Sequence, residues 1–230
     1  MKNTENLTSY EKKVLNAEKH LKKALELMEL IKSMLNCNDY YGAYAIASEL
    51  ADAVGKAILI TRELPVYTND PQAQKICDKI ITDTMPVKIG FTPEGWFGVV
   101  MPALLPKRQK GSVDYIRDSL YLAMRNFFRG KQPVKYTNCV IIFRHIYRHD
   151  RPERQYRDHD NIEVNAVTDI IALHVLFDDS PPYCSHHYCS AAGDENRTEI
   201  LVVPLLEFKT WMVDANSFKN KALVLFENLP

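Results

Sequence analysis

The chain has 230 residues, of which 46% are hydrophobic and 25% are charged, proportions that are ordinary for a globular protein. This length permits one compact domain or a small domain with an appendage, and no apolar run approaches the roughly 20 residues that span a bilayer. The amino terminus has no apolar signal-peptide region, and the five scattered cysteines argue against a secreted disulfide framework. We therefore expect a cytoplasmic protein with no membrane-spanning segment.

Residues 1–64 contain two amphipathic segments that are separated by a polar turn at 36–39. Apolar residues in each segment recur at spacings of mainly three and four, which is a heptad pattern. The first seam is Ala17, Leu21, Ala24, Met28, Ile31 and Leu35, and the second is Ala43, Ala47, Leu50, Val54, Ala57 and Leu64. The pattern predicts an antiparallel helical hairpin. We interpret it as an assembly or partner-binding element.

Pro65 ends the second helix, and residues 65–85 are predicted to be a linker with one short helix that begins at Asp70. From residue 86 the hydrophobic periodicity changes. Strands are predicted at 87–91, 96–100, 138–147, 183–190 and 198–203, and helices at 114–128 and 162–176. The order β-β-α-β-α-β-β predicts an α+β domain over 86–203, with a small mixed β-sheet and two main helices. Residues 204–230 follow as a C-terminal tail.

A strongly basic segment lies inside this neutral chain. Between Lys107 and Arg157 there are thirteen basic and four acidic residues, a net charge of +9, so the rest of the chain carries −9. Basic residues concentrated in one segment are a better sign of nucleic-acid contact than the overall charge. The alternative is that these side chains form ordinary solvated faces.

Two acidic pairs flank the second predicted helix of the domain. Asp158 and Asp160 are two residues apart, so in an extended segment their side chains point to the same side. Asp178 and Asp179 follow the helix, which must be succeeded by a turn if Asp179 is to approach Asp158. Carboxylates that converge repel each other unless a cation or protons are shared among them. Mg²⁺ takes oxygen ligands from one or two carboxylates together with substrate phosphates.

The run from Arg151 to Ser180 resembles the RusA family of Holliday-junction resolvases. That family's pattern is an arginine-rich strand end, then Asp-x-Asp-Asn, a helix, and an Asp-Asp pair before a closing hairpin. The blocks Arg157-Asp158-His159-Asp160-Asn161 and Phe177-Asp178-Asp179-Ser180 match it in sequence and spacing. The strand and helix order upstream is also similar, so the resemblance covers roughly 87–203 and leaves the hairpin outside.

The resemblance implies a Mg²⁺-dependent (or Mn²⁺-dependent) endonuclease that acts on branched or structured DNA, with no organic cofactor. Asp158, Asp160 and Asp179 would be the catalytic residues, and the same three together with Asp178 would be the metal-binding residues. The residues expected to contact DNA phosphates are Arg144, Arg148, Arg151, Arg154, Arg157, Lys107, Arg108 and Lys110. Because a four-way junction is two-fold symmetric, a homodimer is expected.

One position departs from the family pattern. The family carries a lysine four residues after the second aspartate of Asp-x-Asp-Asn, and this chain has Val164 there. A second hypothesis is therefore a catalytically impaired DNA-binding or assembly protein of the same fold, in which the hairpin binds a partner. A structural alternative also stands for the acidic residues, with Asp158 and Asp160 at a helix start and Asp178-Asp179 in a turn.

The segment Cys184-Ser185-His186-His187-Tyr188-Cys189 holds four potential zinc ligands, but we do not predict a zinc site there. Residues five apart on a strand point to opposite faces, so the two cysteines should diverge. His159, between the two aspartates, should point away from them.

Overall fold

The computed structural model describes residues 8–68, 70–106, 113–132, 134–151, 156–218 and 223–228. The chain divides into two compact units, Met1–Ile81 and Thr82–Pro230. The predicted α+β fold class, with a mixed β-sheet and an N-terminal helical hairpin, is confirmed. Among the described residues, no helix is both long enough and apolar enough to cross a membrane.

The N-terminal hairpin consists of α1 (Ser9–Asn36) and α2 (Tyr40–Glu63). Thr8 and Glu11 form a capping box that satisfies backbone donors at the start of α1. Asp39 caps α2 by accepting a hydrogen bond from the Gly42 amide at 2.8 Å. An ion pair joins Lys13 near the start of α1 to Glu63 at the end of α2, and another joins Lys23 and Glu49 near the middle of each helix, so the helices are antiparallel.

The predicted seam of α1 is only half correct. Ala17 and Ala24 are buried as expected, and Leu27 joins them against α2. In contrast, Leu21, Met28 and Leu35 are 48%, 42% and 43% exposed. Small residues on both helices let the backbones approach closely, so the contact face turns toward the alanines and leaves the larger side chains outside it.

The segment after the hairpin begins with a short 3-10 turn, Leu64–Thr68, and continues into α3 (Ala73–Thr84). The Asp70 carboxylate accepts a hydrogen bond from the Gln72 amide at 2.7 Å, which supports the predicted start of this short helix.

The second unit is built on a five-stranded sheet in the order β1-β2-β5-β3-β4. The strands are β1 (Lys88–Phe91), β2 (Phe97–Met101), β3 (Cys139–Arg148), β4 (Cys184–Gly193) and β5 (Arg197–Pro204). β3 pairs antiparallel with β5 on one side and parallel with β4 on the other. All other neighbours are antiparallel, so the sheet is mixed, as predicted.

Alternate residues of β3 face two separate hydrophobic clusters. Ile141 and Phe143 point into the larger cluster, which α4 (Val113–Phe127) and α5 (Asn165–Val175) cover. Val140 and Ile142 point into a smaller cluster on the other face. A strand that is buried on both faces has a nearly continuous run of hydrophobic residues, as β3 has from Cys139 to Phe143.

The C-terminal residues pack on this same unit. Helix α6 (Phe208–Phe218) follows a short turn at Leu205–Glu207 and places Trp211 in the smaller cluster. The Trp96 indole donates a hydrogen bond to the Glu207 carboxylate at 2.5 Å. Beyond α6, Phe226 pairs with Phe91 through two backbone hydrogen bonds of 2.8 Å.

We predict that Gly90→Ala will detach the Phe226 segment from β1. A Cβ atom at position 90 would lie 2.5 Å from the Phe226 carbonyl oxygen, which belongs to backbone that cannot rotate away. Hydrogen exchange at the Phe91 and Phe226 amides should therefore accelerate. Gly98→Ala is the matched control, because its new Cβ meets only the end of the Leu225 side chain. Equal protection in both variants would contradict this prediction.

Candidate active site

The first acidic pair, Asp158 and Asp160, lies on a short turn that is attached to the hydrophobic core. Asp158 precedes the 3-10 turn His159–Asn161, and its backbone carbonyl accepts a hydrogen bond from the Asn161 amide at 3.1 Å. The next residue, Ile162, is buried in the larger cluster and fixes the turn to the domain. Asp158 and Asp160 are exposed, and neither carboxylate has a hydrogen bond or ion pair with another described residue.

The two residues of the second acidic pair, Asp178 and Asp179, have different surroundings. The Asp178 carboxylate accepts a hydrogen bond from the Ser180 amide at 2.7 Å, and hydrogen bonding from Ser180 lowers the pKa of Asp178. Asp178 therefore forms the turn that the structural alternative proposed for this pair. The Asp179 carboxylate is exposed and has no such bond within the described part of the chain.

The two pairs lie at opposite ends of α5, which begins at Asn165 rather than at the predicted residue 162. Eleven residues of helix separate them by about 16 Å along its axis. Among the described residues, no group of three or more histidine, cysteine, aspartate or glutamate side chains could hold a metal ion. The three-carboxylate set is thus not assembled within this part of one chain. The pair Asp158 and Asp160 still offers the two oxygen ligands that Mg²⁺ combines with phosphates.

Aromatic and polar side chains of β3 and β4 lie next to His159 in the first acidic turn. The His159 ring turns away from the aspartates, as predicted, with Nε2 3.1 Å from the Ser190 hydroxyl. It stacks on His145 with 5.9 Å between ring centroids and lies at the same distance from the Tyr188 ring. His145 is 0% exposed, and neither of its ring nitrogens has a hydrogen-bond partner among the described residues.

Burial is the main reason that the pKa of His145 falls to about 4, and the nearby His159 and Arg157 lower it further. The imidazole is therefore neutral at physiological pH. The sequence analysis missed this residue, although its position on the core face of an otherwise apolar strand was a usable signal.

Two arginines of the basic segment contact Tyr147, one through its guanidinium and the other through its backbone amide. The Tyr147 hydroxyl accepts a hydrogen bond from the Arg157 amide at 3.0 Å, and the Arg151 guanidinium lies 5.4 Å from the Tyr147 ring centroid. The Arg157 side chain donates to the Leu105 carbonyl, and its burial lowers the pKa of its guanidinium. Tyr156 also stacks on Tyr147, with ring centroids 4.1 Å apart. The arrangement places guanidinium groups next to the turn that carries Asp158.

Arg144 requires a correction, because its surroundings do not suit a DNA contact. It is 8% exposed and pairs at 3.1 Å with Glu199, which is 0% exposed and also binds Arg197 at 2.8 Å. Glu199 therefore serves as counter-ion to two arginines inside the domain, which ties the Arg144 guanidinium to the sheet. Arg148, in contrast, is exposed and forms an ion pair with Asp150.

Four predicted DNA contacts, Lys107, Arg108, Lys110 and Arg154, lie outside the described residues. The described chain stops at Pro106, whose carbonyl accepts a hydrogen bond from the Glu163 amide at 2.9 Å. Pro106, the last residue described before this basic segment, is therefore bonded to the segment that follows Asp158 and Asp160.

Val164, at the position of the family's lysine, is 4% exposed and belongs to the larger hydrophobic cluster. This position is therefore part of the core and carries no polar group. Glu163 instead accepts a hydrogen bond from the Asn165 amide at 3.1 Å at the start of α5.

The cysteine and histidine run of β4 behaves as a strand. Cys184 and Cys189 lie on opposite faces, in the larger and the smaller cluster respectively, as predicted. His186 contacts the Tyr188 hydroxyl, whereas His187 lies against Phe208 and Trp211 on the other face.

The fold and site together define an α+β domain with an exposed acidic turn beside arginines, preceded in sequence by a helical hairpin. The chain belongs to DUF6100, a family of unknown function whose model matches residues 3–229. No match was found among curated proteins. The family description names no activity, so the resolvase resemblance stays a prediction.

We predict that acid will destabilise the protein through His145. Its folded pKa of about 4 lies below the ordinary value of 6.5, so the unfolded chain binds this proton more readily. The neutral His145 ring therefore contributes fully to the free energy of unfolding above pH 6.5. This contribution, about 3 kcal/mol, is lost as the pH falls toward 4. His145→Phe should remove this part of the pH dependence of the unfolding free energy, measured in urea. His145→Gln should remove it as well but leave a buried amide, and an unchanged slope in both variants would contradict the assignment.

We predict that Glu199→Gln will lower the free energy of unfolding by about 3–5 kcal/mol, because it leaves the buried charge of Arg144 without its counter-ion. Asp150→Asn, which breaks the exposed ion pair with Arg148, should have a much smaller effect. Chemical denaturation of the two variants measures the difference. Similar losses in both would show that Glu199 is not the counter-ion that holds Arg144.

Proposed function

We propose that this protein is a Mg²⁺-dependent endonuclease that acts as a homodimer on branched or structured DNA. The observation that carries the proposal is the exposed turn at Asp158 and Asp160, whose carboxylates have no partner among the described residues. A carboxylate at a turn usually hydrogen-bonds to the backbone, as Asp178 does. Asp158 holds the N-cap position without such a bond, so its side chain remains available for a ligand.

The residues beside the turn suit a phosphodiester. Arg151 and Arg148 lie on the domain surface, and arginine binds phosphate oxygens with several donors at once. Contacts of this kind position the DNA backbone and read no sequence. The ring of Tyr147 holds Arg151 on one side, and the Tyr147 hydroxyl binds the backbone of Arg157. The Arg151 guanidinium is therefore positioned by a buried aromatic ring.

Asp158 and Asp160 would hold Mg²⁺ or Mn²⁺ together with phosphate oxygens. When bound there, the ion would supply the Lewis acid needed to polarise a scissile phosphate. Asp179, which the resemblance adds as a third ligand, lies beyond the far end of α5 in the same chain. Its participation requires a second copy or a rearrangement at the turn.

A second candidate function is a DNA-binding protein of the same fold that does not cut. It is favoured by Val164, which fills the hydrophobic core where the resolvase family has a lysine. It is also favoured by the separation of the two acidic pairs along α5. In that case the arginines would bind DNA and the acidic turn would have no metal to hold.

Cleavage of a labelled four-way DNA junction in Mg²⁺ or Mn²⁺ tests the proposal. We expect paired nicks from the wild-type protein and at least a hundredfold loss in Asp160→Asn, because removal of one charged ligand weakens the metal site. Asp118→Asn, an equivalent change on the exposed face of α4, should cut normally.

The outcomes separate the two candidate functions. A gel shift without cleavage in every variant would favour the non-catalytic DNA-binding protein. If the protein neither shifts nor cleaves the junction, DNA is excluded as its ligand. Stabilisation against heat by Mn²⁺ in the wild type, and its loss in Asp160→Asn, would report metal binding without relying on activity.

A further inference from the structure

Two free cysteines face each other where two neighbouring strands begin. Cys139 is the first residue of β3 and Cys184 is the first residue of β4, and the parallel register pairs them directly. Register partners project from the same face of a sheet, and both thiols enter the larger hydrophobic cluster. The Cys139 amide donates a hydrogen bond of 3.0 Å to the Tyr183 carbonyl, which holds the two strand starts side by side.

The spacing of these strands suits a covalent link between the two thiols. Neighbouring strands lie about 4.8 Å apart, and the Cα atoms of a disulfide lie about 4.4–6.8 Å apart. Among the described residues, the other cysteines have no such partner within their own unit. Cys189 lies on the opposite face of β4. Cys37 precedes α2, whereas the Cys77 thiol contacts the Arg62 carbonyl near the other end of that helix at 3.1 Å.

The surroundings of the Cys184 sulfur favour its thiolate form. Interaction with the Cys139 thiol is the main influence that lowers the pKa of Cys184; burial opposes it, and the His186 imidazole and the Ile141 amide lower this pKa further. The same interaction, together with burial, raises the pKa of Cys139. Because the thiolate is the nucleophilic form of cysteine, Cys184 is the attacking sulfur of the pair.

Cys184 also lies closer to solvent than Cys139. β4 is the last strand of the sheet in the described structure, and the residues on both sides of Cys184, Tyr183 and Ser185, are exposed. Cys139 lies on a strand that is paired on both sides and is 1% exposed, whereas Cys184 is 6% exposed. A small uncharged oxidant that enters from the sheet edge therefore meets Cys184 first.

We propose that Cys139 and Cys184 form a reversible disulfide when the folded protein meets a hydroperoxide such as hydrogen peroxide. The Cys184 sulfur attacks one peroxide oxygen and breaks the O–O bond, which leaves a sulfenic acid on Cys184 and releases water. The Cys139 sulfur then attacks the sulfenic sulfur, and the hydroxyl group leaves with the Cys139 proton as a second water. The thiols lose two electrons in total, which the peroxide gains. Two molecules of a small thiol reverse the reaction by exchange.

The disulfide closes the crossover that joins β3 to β4. This crossover contains the first acidic turn, α5 and the Asp178 turn, so both acidic pairs lie inside the closed loop. A link between the ends of a long loop stabilises a protein mainly by restricting its unfolded chain. The oxidised protein is therefore more stable than the reduced protein. The reaction needs neither DNA nor metal, so it can be tested apart from the proposed function.

Peptide mapping after brief treatment with hydrogen peroxide tests the proposal on the full-length protein. Cys37→Ser serves as the background because it removes the exposed thiol. The treated protein should lose the mass of two hydrogen atoms, and digestion without reductant should give one linked pair of peptides that contains Cys139 and Cys184. Dithiothreitol should restore the original mass. A further Cys184→Ser change should abolish the linked pair, whereas Cys189→Ser, on the opposite face of β4, should retain it.

Thermal unfolding gives a second readout. In the Cys37→Ser background, peroxide should raise the midpoint of unfolding by about 5–10 °C, as expected for closure of a long loop in a chain of this size. Dithiothreitol should reverse the shift. The shift should be absent in Cys184→Ser and present in Cys189→Ser. Circular dichroism before oxidation checks that each variant is folded, and the map of the Cys37→Ser protein is informative even if a core serine prevents folding.

Three results would contradict the proposal. In the first, Cys139 and Cys184 both remain open to alkylation under conditions that oxidise Cys37 of the wild type. In the second, either residue is linked to a different cysteine. In the third, the disulfide forms without a rise in the unfolding midpoint, which would overturn the closure of the crossover. None of these measurements involves junction cleavage, so failure of this proposal is distinct from failure of the proposed function.

Discussion

The pairing of β3 with strands on both sides is the constraint on which the domain depends. Nine of its ten residues are buried, and its alternate side chains enter two different hydrophobic clusters. Because β4 runs parallel to β3, the chain must cross from one end of the sheet to the other between them. That crossover contains the acidic turn, α5 and the Asp178 turn. The placement of the candidate site is therefore a consequence of one parallel strand pair.

Much of this domain could be predicted because its elements have clear periodicity. The strands and helices predicted between residues 86 and 203 lie within a few residues of their observed positions, since buried strands carry continuous apolar runs and turns carry glycine, asparagine and aspartate. Helix α6 was not predicted, because residues 204–230 were interpreted as a tail. The start of α5 was placed too early. Ile162 and Val164 suggested helical spacing, but both enter the core from an irregular segment. Apolar residues near a helix do not reveal whether they belong to it.

The site was less predictable because side-chain partners depend on tertiary contacts. Arg144 resembled its exposed neighbours in sequence, yet its place in β3 opposite Glu199 buries it in an ion cluster. His145 carries no motif that marks it in the sequence, and only the structure shows that its ring is buried and stacks on His159. The heptad pattern of α1 includes residues from two adjacent faces of the helix, one that contacts α2 and one that is exposed. Sequence spacing alone could not assign each residue to one of these faces.

The free edge of β4 has a consequence for how copies of the protein can meet. As the last strand in the sheet, the ten-residue β4 has one edge that pairs with no strand among the described residues. Such edges invite strand addition and aggregation when their side chains are apolar. Here Ser185, His186 and Ser190 are exposed along the strand, and hydration of these polar groups opposes the burial that strand addition would demand. The composition of this edge therefore protects the folded protein against uncontrolled polymerisation through its sheet.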